Sequence, residues 1–201
     1  MTYTTQNPYA AAAMSHIPSQ PTQPTRQPNQ ANPAFAFVLD ETSAEQAGDM
    51  PFITETGAVI ATITKAEYQQ NKTGSHALRI RFVNPDGMAG SVTLTYLKSD
   101  GVTAVFGGNF INAILFLTGL NGFSWQASTN ERGESVQIAA ELSGKTVGML
   151  VKQTKNQNDD GTHLELKQVY HPDTGLTVSE IKAGIGQPEA IEKLLKLWGQ
   201  S

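Results

Sequence analysis

The sequence predicts an all-β domain, a five-stranded barrel with one or two helices. Three observations predict it. Alternating apolar, β-branched runs recur between residues 57 and 171. Short segments rich in Gly, Asn, Asp and Pro separate them. One strongly apolar run with helical spacing falls between the third and fourth strands.

The flanks differ from this region. Residues 1–34 contain PSQPTQPTRQPNQANP and few side chains able to fill a core, so they are expected to form a disordered Pro/Gln-rich arm. Residues 35–56 form an acidic linker that opens on the apolar cluster Phe35-Ala-Phe37-Val-Leu39. The barrel domain is assigned to 57–171, and 172–201 to a C-terminal extension with a helix.

The first strand runs from Gly57 to about Tyr68, and Asn71-Lys-Thr-Gly74 is a loop. In the second strand, Ser75 to Asn84, alternation sends Arg79 and Arg81 to one face and His76, Leu78, Ile80 and Phe82 to the core face. Asn84-Pro-Asp-Gly87 supplies a tight turn. The third strand, Ala89 to Leu97, places Val92, Leu94 and Tyr96 opposite Thr93 and Thr95. The helix spans Gly108 to Gly119 with Asn109 positioned to cap it. Its apolar residues cover more than one face, which predicts burial.

Residues 126–143 are polar and loop-like, with one short strand at Val136–Ala139. Lys145–Lys155 and Thr162–Tyr170 are the last two strands, joined by the turn Asn156–Gly161. An extended piece, Leu176–Ile181, leads to a helix from Pro188 to Trp198. There Ile191, Leu194, Leu195 and Trp198 share a stripe suited to packing or self-association. The resulting order, β-β-β-α-β-β, is that of the five-stranded oligonucleotide-binding barrel, although other small barrels and α+β folds share it.

Composition narrows the function. The absence of cysteine excludes disulfides, thiolate zinc sites and cysteine nucleophiles. No apolar run approaches the roughly 18 residues of a membrane helix, and the N-terminus lacks a basic signal region; a cytoplasmic protein is expected. The net charge of −4 is unevenly spread: residues 57–171 carry ten Lys or Arg against nine acids, whereas residues 1–56 carry one against five. The four histidines show no metal-ligand spacing. Ser143-Gly-Lys-Thr146 lacks the glycine a phosphate loop needs at position 139, which is Ala. Neither catalysis nor a cofactor is expected.

Cations on a strand face, with flat side chains nearby, are what single-strand binding requires. Arg79 and Arg81 are the strongest pair. Lys65 and Tyr68 close the first strand, Lys72 lies in the next loop and Lys98 follows the third strand. Lys152, Lys155 and Lys167 come from the last hairpin. Tyr68, Tyr96, Trp125 and Tyr170 are the candidate stacking residues, with Tyr96 better placed for the core. The plain alternative is that strand lysines only keep the sheet soluble and its edges unpaired.

The run GAVIATITKAEYQQNKTGSHALRIRFVNPDG, the GGNFINAILFLTGL helix and GKTVGMLVKQTKN together resemble the small single-stranded-DNA-binding proteins of bacteriophages, over about residues 55–171. The resemblance implies an oligonucleotide-binding barrel that coats single strands in the bacterial cytoplasm, self-associates and works beside recombination or replication proteins. It implies contacts at Arg79, Arg81, Lys65 and the lysines of the last hairpin. One departure is plain: many such proteins end in an acidic tail, and this chain ends in KLLKLWGQS. The rival expectation, favoured by the net acidity, is a non-catalytic protein-interaction module, either a phage structural protein or an inhibitor of a host factor.

Overall fold

The computed structural model describes residues 51–130, 132–156 and 160–199. The expected arm, most of the acidic linker and the Phe35–Leu39 cluster lie outside the described residues. The fold is mostly antiparallel β-sheet with a few helices, as the sequence predicts. Its strands are β1 (Gly57–Gln70), β2 (His76–Val83), β3 (Ala89–Leu97), β4 (Gln126–Thr129), β5 (Ser135–Ile138), β6 (Thr146–Lys155) and β7 (Thr162–Tyr170). Helices α1 (Gly107–Leu117), α2 (Val178–Ala183) and α3 (Glu189–Leu197) complete the described elements, with a 3-10 turn at Ala140–Leu142.

The long strand β1 holds the sheet together. Its first half pairs with β6, Gly57 opposite Val151 through Thr62 opposite Thr146. Its second half pairs with β2, Thr62 opposite Val83 through Gln70 opposite His76. β3 then extends β2, and β7 extends β6. A register shift between Ile63 and Lys65 reverses the facing of β1 midway. Ala61 and Ile63 are buried before it, Ala66 after it.

The core lies inside this curved sheet. Leu78, Ile80 and Phe82 from β2 meet Val92 and Leu94 from β3 and Val147, Met149 and Val151 from β6, all buried. Each such side chain contributes roughly 1.5–3 kcal/mol relative to exposure. β6 is apolar on its other face as well: Leu150 sits outside the sheet with Tyr170, beneath Ile191, Leu194, Leu195 and Trp198 of the C-terminal helix region. The predicted apolar stripe of that helix therefore packs on its own domain. Gly148 makes this possible, because a Cβ there would lie 2.1 Å from the Tyr170 ring.

Four expectations need correction. The barrel is not closed: β3 and β7 approach one another, but no ladder joins them. The physical reason is α1, which packs against both strands. Its first residue, Gly107, abuts β3 so closely that a Cβ would stand 2.1 Å from the Thr95 carbonyl oxygen. Asn109 does not cap α1; Phe106 occupies the cap position and makes no side-chain cap bond. The region 126–143 holds the expected short strand, as β5, but is otherwise not mainly loop: β4 pairs with β5 in a hairpin added to the edge of β1 at Glu67 opposite Ile138, and the 3-10 turn follows. The piece Leu176–Ile181 is not extended, since α2 begins at Val178 behind a capping box formed by Thr177 and Glu180.

Candidate nucleic-acid interface

Strand register places the polar face of β1, β2 and β3 in rows. Lys65 stands opposite Arg81, and Arg81 opposite Ser91. Glu67 stands opposite Arg79, and Arg79 opposite Thr93. Gln69 stands opposite Ala77, and Ala77 opposite Thr95. The two arginines do share a face, and Leu78, Ile80 and Phe82 occupy the other, as alternation requires.

Two clefts flank this face. The first, of about 350 Å³, lies between it and the β4–β5 hairpin and is lined by Lys65, Glu67, Arg79, Arg81, Arg132 and Glu134, among others. The second, of about 580 Å³, lies toward β7 along the unladdered gap and includes Arg79, Thr93, Thr95, Phe110, His163 and Glu165. Arg79 lines both. The outer face of the sheet is thus walled on two sides, and one arginine stands where the clefts meet.

Electrostatics separate the cations. Glu67 is only 9% exposed and carries ion pairs to Lys65 at 2.9 Å and to Arg81 at 3.3 Å. Burial alone would push its carboxyl up, but the Lys65 hydrogen bond and the charges of Arg81, Lys65 and Arg79 hold it below the usual carboxylate range. Among the described residues, neither Arg79 nor Arg132 has an ion pair. Arg132 sits in the turn of the β4–β5 hairpin, where the Asn130 side chain accepts its backbone N–H at 3.0 Å.

The other expected site residues are dispersed. Lys72, Lys98 and Lys155 are exposed and border neither cleft. Lys152 also lies outside both clefts, its Nζ 5.9 Å from the centre of the Trp198 ring. Lys167 is ion-paired with Glu165, which holds the Glu165 carboxyl below its usual range. Tyr68 borders the first cleft but alternates toward the core with Leu78. Its hydroxyl and His76 Nδ1 are 2.7 Å apart. Trp125 packs edge-on against Tyr68 at 5.6 Å and against Phe123 at 5.1 Å. Tyr170, expected as a stacking residue, is instead buried under α3 and offers no ring to a base.

Sequence reasoning missed Glu67, Arg132, Phe106 and Phe110 as site residues. Phe106 is 68% exposed and meets Phe110 edge-on at 5.1 Å, beside the second cleft. A signal for Arg132 existed, because Asn130-x-Arg-Gly133 repeats the turn pattern seen at Asn71–Gly74, Asn84–Gly87 and Lys98–Gly101. In all four a glycine with φ between 70° and 82° donates to the carbonyl three residues back.

Among the described residues no cluster of three or more His, Asp or Glu is arranged to hold a metal ion, and no helix is long and apolar enough to cross a membrane. A scan against protein-family models finds no match for the chain, and a search of curated proteins finds none either.

Proposed function

We propose that the protein is a non-catalytic binder of single-stranded DNA with little sequence preference. The strand would lie across the polar face of β1–β3, entering both clefts. One observation carries this reading: the two clefts meet at Arg79, which like Arg132 has no ion pair among the described residues and can meet phosphate oxygens. Ser91, Thr93 and Thr95 add neutral donors beside the arginines. Phe106 offers a ring on which a base can stack.

The finer reading of the fold supports the same conclusion. The order β3-β2-β1-β6-β7 matches a five-stranded oligonucleotide-binding barrel left open between β3 and β7, whose second and third strands carry the ligand face. The resemblance to bacteriophage single-stranded-DNA-binding proteins extends the proposal to a homo-oligomer acting in a bacterial cytoplasm beside replication or recombination proteins.

Fluorescence titration with single- and double-stranded oligonucleotides over a salt series tests this. Single strands should bind more tightly, and binding should weaken as salt rises. Arg79→Ala should lose about four-fold or more at 0.15 M salt, the share of one phosphate contact at a slope of about −0.7. Lys152→Ala, outside both clefts, should change little. Absence of binding to any oligonucleotide at low salt overturns the proposal.

A protein-interaction module is the second reading, and one observation favours it. From Gly101 to Asn130 the sequence contains no Asp, Glu, Lys, Arg or His, and Val102, Phe106 and Phe116 in that stretch are exposed. This reading gains if oligonucleotides fail to bind while Phe116→Ser abolishes a concentration-dependent rise in mass on sedimentation.

A further inference from the structure

We propose that Glu67 is an internal counter-ion that holds the affinity of the cationic face in check, and that a phosphate of the bound strand takes its place on Arg81 and Lys65. This rests on the reading of that face as a single-strand site. A carboxylate is an odd residue to find at the centre of such a surface. Glu67 lies one strand across from Arg79, lines the first cleft, and is nearly buried. It uses one oxygen for Arg81 and the other for Lys65. Arg81 itself remains 41% exposed at its side chain and lines the cleft.

The consequence is an unequal set of four cations. Arg79 and Arg132 have no ion pair among the described residues, so each offers phosphate a charge-assisted contact with no carboxylate to displace. Arg81 and Lys65 share the single charge of Glu67, so together they bring one net positive charge, and a phosphate at either gains only the difference between itself and the carboxylate it displaces. Glu67 also stays behind as a negative charge within the first cleft, where incomplete solvation strengthens its repulsion of a second anion. With Glu67 among them, these four cations bring three net positive charges to the strand rather than four. An acidic chain whose charge slows approach to a polyanion is further restrained at the contact itself.

The test is Glu67→Gln, which keeps the shape and one acceptor but removes the charge. Titration with a fluorescent single-stranded oligonucleotide should tighten by about four-fold at 0.15 M salt for each cation released. The slope of log K against log salt should steepen by about 0.7 per cation. Arg81→Ala should cost less in the wild type than in the Glu67→Gln background. Unchanged affinity and slope in Glu67→Gln, with Arg79→Ala still weakening binding, overturn this inference alone. Failure of the wild type to bind overturns the single-strand reading and this inference with it. If Glu67→Gln does not fold, the wild-type background decides: Arg79→Ala must weaken binding more than Arg81→Ala, and equal losses overturn the inference.

Discussion

Gly148 and Glu67 show what single positions control. At Gly148 the ring of Tyr170 occupies the volume a side chain needs, and the Tyr170 hydroxyl reaches 3.4 Å from the Val59 carbonyl oxygen. Gly148→Ala should therefore destabilise by about 1–3 kcal/mol, as overpacking generally does, with a lower urea midpoint and an unchanged slope. No sequence pattern marks this glycine, since its neighbour is 22 residues away and meets it only through the β6–β7 register. Arg79 and Arg81 were legible because period-two alternation is a local property of β2. Glu67 was not, because the irregularity between Ile63 and Lys65 decides which face of β1 it joins. That irregularity has no signature in the residues themselves.

At the level of elements, the capping box at Thr177–Glu180 does more than start α2. Glu180 Oε2 accepts from the Thr177 N–H at 2.8 Å and from its hydroxyl at 2.7 Å. Its Oε1 accepts from the Ala190 N–H at 2.8 Å, tying α2 to the first turn of α3. Burial alone would push this carboxyl up, but donors from Thr177, Ala190 and Glu189 outweigh it and hold the group below its usual range. Glu180→Ala should cost about 1.5–3 kcal/mol, the range for hydrogen bonds to a charged group, measured by chemical denaturation at neutral pH. A depressed folded-state pKa means this stabilisation is complete above the unfolded value, near 4.5, and is lost as pH falls through the lower folded value. Glu180→Gln should flatten that part of the acid limb. The Thr-x-x-Glu spacing was present in the sequence, but the extended reading of Leu176–Ile181 passed over it. The short strand expected at Val136–Ala139 is β5, but β4 was missed for a different reason: a four-residue polar strand carries too little apolar alternation to stand out.

Across the described residues, β1 is paired with strands on both edges, whereas β3 and β7 have no strand partner along the gap that α1 fills, and the outer edge of β3 is bonded at its ends, Ala89 to Pro51 and Ile53 and Tyr96 to Val105. Native-state hydrogen exchange should show the strongest protection in β1 and faster exchange at outward-pointing amides in the middle of β3 and in β7. Equal protection in all three would mean that the gap closes in solution. The same gap supplies the second cleft, so the feature that keeps the barrel open also widens the candidate binding face.

Local pattern in the sequence was enough for the five long strands, their turns and the shared face of Arg79 and Arg81, because pleat alternation and turn chemistry act between near neighbours. It also determined that α1 is apolar and that the stripe of α3 must be covered. Only the tertiary structure decided that α1 wedges between β3 and β7, that Lys152 and Tyr170 belong to the side covered by the C-terminal helix, and that Glu67 pairs with two of the cations around it. Those outcomes depend on register and on contacts between residues far apart in the chain, which local pattern does not encode.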